Sequence, residues 1–417
     1  MAFSLSSPTK VRTAPGTEPS YLVPLILVTS LFFLWGFAYG LLDSLNKHFQ
    51  DVLHVNKARS TLLQAAYFGG YFVMAIPAGL IMRKFGYKRG IILGLLLYAT
   101  GAILFYPSAN NLSFVAFLGS IFVLACGLCC LETAANPYVT VLGDRETASF
   151  RLNLSQSFNG VGSFLGPILA SFLFFGGHRA TRKPLAGDLD SVKFIYLVVA
   201  AVVLLVAVLF YRTPLPEINE EEQLSATSSH HSKPLFRNRH FVGSVVAQFF
   251  YVAAQVGIAA FFINYVTENW AGTSSKTAAQ LLGVSLILFT VGRFAGTALM
   301  AVFRPQVLLK VFSLVNILLC TAVVWETGAF AVVCLMIIFF FESIMFPTIF
   351  ALGVKDLGKH TRQGGSLIIM SIVGGALIPP LMGWIAQKDS TAHAFLIPMV
   401  CFAVVTWFGM RGYRIRP

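Results

Sequence analysis

CLETAANPYVTVLG, residues 130–143, and FESIMFPTIFALG, residues 341–353, carry one spaced pattern 210 positions apart: Glu132, Pro137 and Gly143 in the first, Glu342, Pro347 and Gly353 in the second. In each stretch a carboxylate sits deep in an apolar run. A helix-distorting proline follows it, and then a glycine just before a charged loop. A chain with one such carboxylate in each half is an internal repeat. In a membrane protein that arrangement implies a carrier whose substrate and coupling ion meet near the bilayer midplane, between two related halves.

Composition supports the same solvent. The 417 residues are 56% hydrophobic, 14% aromatic and only 11% charged, which is too little polar surface to cover a water-soluble globule. A spanning helix needs roughly 20 largely apolar residues. Twelve runs of about that length recur, near 21–45, 60–82, 90–106, 112–137, 152–176, 194–211, 242–266, 278–302, 307–325, 329–352, 364–386 and 392–410. Gly and Pro inside them, as in GGYFVMAIPAG, residues 69–79, are tolerated in spans and permit close helix packing.

The net charge of +13 is explained by its distribution, without nucleic acid. With both termini cytoplasmic, the inward segments hold 20 Lys and Arg and the outward loops 9, with Arg293 inside a span. That is the positive-inside bias, densest at Arg83, Lys84, Lys88 and Arg89. The expected organisation is a Ser/Thr/Pro-rich cytoplasmic tail over 1–20, a six-helix half over 21–211, a polar cytoplasmic loop over 212–240, a second six-helix half over 241–410 and a short tail over 411–417. The tail lacks the apolar core of a signal peptide.

Several motifs have bland readings. Cys126, Cys129 and Cys130 form CxxCC in an apolar helix with no complementary ligand pair, so they read as small packing residues. Cys320, Cys334 and Cys401 also fall within spans, and no disulfide framework is expected. His230 and His231 lie in the polar linker and read as solvated. The sequon Asn111-Leu112-Ser113 falls in an outer loop too short to be modified. The stretch from Gly353 to His360 is one residue short of the phosphate-loop pattern GxxxxGK[ST] and follows an apolar run where that loop needs a strand. No nucleotide, cofactor or metal site is expected, so movement of a solute would be driven by an ion gradient.

The candidate chemistry rests on buried polar groups. An ionised carboxylate in mid-span costs on the order of 3 kcal/mol, so one kept there faces a cavity or a partner. Low dielectric favours its neutral form, which lets it take and release a proton as a cavity switches sides. Asp43 and Glu132 are the proton-coupling candidates; Asp43, near the outer end of its helix, has an interfacial reading as well. Asn153, Gln156 and Asn159 recur every three residues and form a polar stripe, suited either to sugar hydroxyls or to hydrogen bonds between helices. Trp35, Tyr39 and Tyr138 are placed to stack on a sugar face. Gln255 is a further cavity candidate. Arg293 and Glu342, the buried charges of the second half, are expected to neutralise each other in a structural or gating role rather than to touch the substrate.

The segment from Gly79 to Arg89 resembles the signature loop GxxxDRxGR[RK] of the major facilitator superfamily, with Gly79, Lys84, Gly86 and Lys88 fitting and Arg83 where the pattern has Asp. Within that superfamily, LETAANPYVTVLG (131–143), FRLNLSQSFNGVGS (150–163), FFLWGFAYGLLD (32–43), PTIFALGVKDLG (347–358) and IVGGALIPPLMG (372–383) look like the fucose/galactose/glucose:proton symporter family. The resemblance implies twelve transmembrane helices in two pseudo-symmetric halves. It also implies proton coupling and sugar binding by Asp43 and Glu132, with a sugar cavity lined by Gln156 and Asn159.

The expectation is therefore an all-α, multi-pass carrier of the plasma membrane, not an enzyme. As a monomer in the bilayer it moves a monosaccharide such as L-fucose or a related hexose with a proton by alternating access. Sodium-coupled or uncoupled sugar transport, and sugar sensing without flux, are the alternatives. The sugar itself is left open.

Overall fold

The computed structural model describes residues 22–53, 62–175, 189–215 and 234–415. His230, His231 and the polar parts of the tail and linker lie outside them. The six spans of the first half are α1 (Leu22–Val52), α2 (Leu62–Phe85), α3 (Tyr87–Asn110), α4 (Phe114–Val141), α5 (Ala148–Phe175) and α6 (Asp190–Arg212). The second half has α7 (Arg239–Asn269), α8 (Ser275–Leu299) and α9 (Pro305–Trp325). Its last three spans are each broken in two: α10 (Gly328–Glu342) with α11 (Met345–Val354), α12 (Thr361–Met370) with α13 (Gly374–Lys388), and α14 (Thr391–Ala394) with α15 (Leu396–Trp407). Among the described residues, 11 helical stretches are long and apolar enough to cross a bilayer. The remaining span, α5, is 28 residues long and carries the polar stripe.

The helices outrun the apolar runs because polar groups close their ends. Ser113 caps α4 by accepting from the Ala116 amide at 3.2 Å, and Ser274 caps α8 through the Thr277 amide at 3.2 Å. Lys88 donates to the carbonyls of Tyr211 and Thr213 at 3.0 and 2.9 Å, placing a cation on the C-terminal end of α6. The signature segment is scarcely a loop. Helix α2 runs to Phe85, Gly86 takes φ 86°, and α3 starts at Tyr87, so the basic residues ride on two helix ends joined by one left-handed glycine.

Inside the first half, α1 packs on α5 and α3 on α4 at near-backbone contact. A Cβ on Gly162 would lie 2.2 Å from the Phe33 carbonyl oxygen, and one on Gly36 would lie 2.0 Å from that of Asn159. With little hydrophobic force between helices in lipid, such small-residue seams supply the van der Waals contact that holds spans together. The two halves then meet where α12 packs on α2 and α4, and where α8 and α11 pack on α5.

The repeat noticed in sequence is not equivalent in three dimensions. Pro137 lies inside the continuous α4, whereas the mate of that helix breaks at Ser343–Ile344, between α10 and α11. A proline lacks the N–H that would bond four residues back, so Pro347 leaves the carbonyl of Ser343 open. Arg293 Nε fills it at 3.3 Å. The glycines differ too. Gly143 turns the chain with φ 100°, while Gly353 is helical and packs so tightly that a Cβ would meet Ser244 Oγ at 2.2 Å.

The end of the bundle that bears the basic loops is closed. Ser366 Oγ donates to the Ala75 carbonyl at 2.5 Å, and Arg362 Nη1 donates to the Met82 carbonyl at 3.2 Å with its guanidinium 4.7 Å above the Tyr87 ring. A cation from the second half thus sits on the C-terminal turn of α2, where helix carbonyls favour it. The Gly353–His360 stretch lies at this end as the close of α11 and a single 3-10 turn, Gly358–His360, with a helix before it where a phosphate loop needs a strand.

Candidate functional site

A cavity of about 470 Å³ lies between the halves, its floor formed by Glu132, Gln156, Arg293 and Glu342. Its walls rise past Trp35, Tyr39 and Gln64 on one side and Gln255, Ala260 and Leu286 on the other, so it opens away from the closed basic end. Its size falls in the usual range for small-molecule sites, and its walls are mostly apolar with a few convergent polar groups.

Arg293, on α8, organises the floor. Its Nη1 donates to the main-chain carbonyl of Gln156, to Gln156 Oε1 at 3.3 Å and to Asn159 Oδ1 at 3.0 Å, while its Nε reaches Ser343 in the break between α10 and α11. The guanidinium also lies 4.6 Å over the Phe289 ring. The planar fork binds both halves of the molecule at once, which a single ammonium group does not reproduce. The expected pairing of Arg293 with Glu342 is not formed in this state. Both oxygens of Glu342 are buried without a hydrogen-bond partner, while Nη1 and Nε of Arg293 bond to α5 and to Ser343.

Gln156 and Asn159 stand both at the cavity and at helix contacts. They line the cavity, and they also tie helices together: Gln156 Nε2 donates to Asn136 Oδ1 on α4 at 3.2 Å, and Asn159 Nδ2 donates to the Phe32 carbonyl on α1 at 3.2 Å. Asn153 lies off the cavity. Its Nδ2 donates to Ser149 O at 2.8 Å and to Thr348 Oγ1 across the interface at 3.3 Å.

Glu132 is 1% exposed and neither of its oxygens closes a hydrogen bond among the described residues. The polar side chains that act on it are those of Tyr71 and Asn136. Two carboxyls therefore face one cavity, from the matching positions of the repeat, with one guanidinium between them and direct ion pairs to neither. Asp43 lies on α1, and its side chain is outside those described.

Of the residues singled out in sequence, the cavity gathers Glu132, Gln156, Asn159, Tyr39, Gln255, Arg293, Glu342 and Trp35. Tyr138 is elsewhere, buried with its ring 5.4 Å from that of Tyr87, because its position on α4 turns toward α3 and the closed end. The cysteines of α4 pack as expected, with Cys126 and Cys129 against the carbonyls of Gly70 and Tyr71. Sequence reasoning passed over Gln64, Tyr67 and Tyr71 of α2, all three on the cavity wall. Their signal, polar atoms at three- and four-residue spacing in an apolar run, is faint in a chain with 13 Tyr and 39 Phe.

Comparison with known proteins places this geometry. The model of the Major Facilitator Superfamily matches residues 25–372. The chain is 38% identical over 410 residues to the L-fucose-proton symporter of Escherichia coli, covering 94% of each chain. It is 36% identical over 415 residues to a glucose/galactose transporter of Brucella abortus, covering 99% of this chain and all of that one. Its fold matches a crystal structure of the transporter FucP in the outward conformation with a TM-score of 0.84 at 36% identity, covering 94% of this chain and 99% of that one. With a family model over most of its length and relatives of this identity over nearly all of it, this multi-pass membrane chain belongs to the major facilitator superfamily, within its fucose/galactose/glucose:proton symporter family.

Proposed function

We propose that the protein is a proton-coupled symporter of a hexose or 6-deoxyhexose that works by alternating access. The observation that carries this reading is the shared cavity floor: amides suited to sugar hydroxyls beside buried carboxyls that lack a compensating partner. A carboxyl in that setting is cheaper neutral than ionised, so its proton state is tied to which side the cavity faces. In this role Glu132 and Asp43 carry the coupling proton, and Gln156, Asn159, Tyr39 and Gln255 contact the sugar. Arg293 and Glu342 hold the hinge at Ser343. One chain contains both walls of the cavity, so a monomer suffices.

Reconstituted vesicles test the function. Uptake of labelled L-fucose, D-glucose or D-galactose against its gradient is expected with an imposed inward pH gradient and not with a sodium gradient alone. Sodium-driven accumulation, or binding with no flux under either gradient, overturns the reading.

The skew of basic residues supports placing the closed end, both termini and the 212–240 linker in the cytoplasm. The cavity in this state then faces the outside of a plasma membrane. A single cysteine at Ser228 is expected to resist an impermeant thiol reagent until cells are permeabilised; labelling of intact cells reverses the orientation.

A further inference from the structure

Proton coupling requires that protons reach Glu132, yet both of its oxygens are fully buried although its side chain borders the cavity. Two side chains of α2 line the cavity beside it. Tyr67 and Tyr71 are one turn apart there, 4% and 3% exposed, with ring centroids 5.1 Å apart. Tyr67 Oη donates to Tyr71 Oη at 3.4 Å. Above them the Tyr67 ring meets that of Tyr39 at 5.8 Å, and Tyr39 is one turn along α1 from Asp43. Below, Tyr71 is, with Asn136, one of the two polar side chains that act on Glu132. The two helices touch at this level, where Cys129, one turn before Glu132, donates its Sγ hydrogen to the Tyr71 carbonyl at 3.4 Å.

The hydroxyl pair has a direction. Because Tyr67 spends its hydrogen on Tyr71, the hydrogen of Tyr71 is free to turn toward Glu132. We propose that Tyr67 and Tyr71 form a two-step hydroxyl relay that carries the coupling proton from the mouth of the cavity to Glu132. Tyr67 takes a proton from a hydronium ion in the cavity, which is left as water, as it passes its own to Tyr71, and Tyr71 gives its hydrogen to the Glu132 carboxylate. Each hydroxyl gains one O–H bond and loses one, so both end neutral. The 3.4 Å separation is long for an O–H···O bond, so each hop waits on a small ring movement that closes it. The charged or titratable groups around the relay are Glu132 and Cys129 of α4, Tyr39 of α1, Tyr98 of α3 and, across the cavity, Arg293 of α8.

This inference rests on the proton-coupled reading, and its test separates the two. Tyr71→Phe, Tyr67→Phe and Glu132→Gln are reconstituted beside the parent protein, and sugar counterflow and pH-driven accumulation are measured on each. Phe keeps the ring packing and removes only the relay oxygen. Tyr71→Phe is expected to lower the initial rate of pH-driven uptake by about tenfold or more while counterflow keeps its rate and half-saturating sugar concentration. Tyr67→Phe is expected to do the same to a lesser degree, since it stands one step farther from Glu132. A fall of counterflow in parallel with uptake shows that the hydroxyls serve sugar binding or packing, and overturns the relay. Undiminished pH-driven uptake by Tyr71→Phe overturns it too. If Glu132→Gln also accumulates sugar normally, the failure belongs to the coupling assignment rather than to the relay.

Discussion

Glu132→Gln is expected to abolish pH-driven accumulation of sugar while leaving counterflow across the membrane within a few-fold of the parent. The amide copies the size and neutrality of the protonated acid, so the cavity it borders keeps its shape and the cycle of the loaded carrier proceeds. What it does not do is release a proton, and without that step a pH gradient has no purchase on the conformational equilibrium. The side chain is 1% exposed with both oxygens unpartnered, so the change removes no hydrogen bond and stability should hold. Uphill uptake is expected to fall by about 100-fold or more, the scale of losing a proton-transfer group. Asp43→Asn should behave alike if the two share a path. Glu342→Gln should not show this split: it ends α10 at the break beside Ser343, and disturbing that hinge is expected to lower counterflow and uptake together. Counterflow and uptake measured side by side on the three variants decide the matter. Robust pH-driven accumulation by Glu132→Gln removes Glu132 from the coupling step.

Arg293→Ala is expected to silence both modes of transport and to lower the thermal stability of the protein. Its removal leaves the carbonyl of Ser343, Gln156 Oε1 and Asn159 Oδ1 without their donor in a desolvated site. Each orphaned acceptor costs about 1–3 kcal/mol, and the two carboxyls of the floor lose the nearest positive charge. Arg293→Lys keeps the charge but not the geometry. The bonds to α5 come from Nη1 and the bond to Ser343 from Nε, so one ammonium reaches one side at a time. It is expected to fold, to bind sugar and to turn over slowly. A double-mutant cycle with Asn159→Ala isolates the 3.0 Å bond, with a coupling of about 1.5–3 kcal/mol expected for a charged donor. Strict additivity shows that the contact contributes nothing, and an Arg293→Lys protein with parental turnover refutes the bridging role.

The number of spans, the two halves and the identity of the buried carboxyls were legible in the amino-acid sequence. These are one-dimensional properties: a bilayer demands a fixed length of apolar helix, and an acid inside such a run stands out against its background. Motif likeness added the family, because LETAANP and its repeat mate preserve spacing as well as residue type. The polar stripe was legible as well, since three-residue spacing on a helix sets a face whatever the surroundings.

What only the tertiary structure decided is who meets whom across that face. Arg293 lies in the same half as Glu342 and was expected to pair with it, yet the guanidinium serves α5 and the carbonyl freed by Pro347. Pattern alone does not report which side of α8 faces the other half, nor that a proline opens an acceptor within reach. Pro137 and Pro347 read alike, but only the second breaks its helix. Tyr67 and Tyr71 are two aromatics in an apolar run until α4 brings Glu132 against them. Helix formation depends on neighbours a few residues apart, which sequence displays directly. Partner choice in a buried site depends on the rotation and depth of separate helices, which their mutual packing sets.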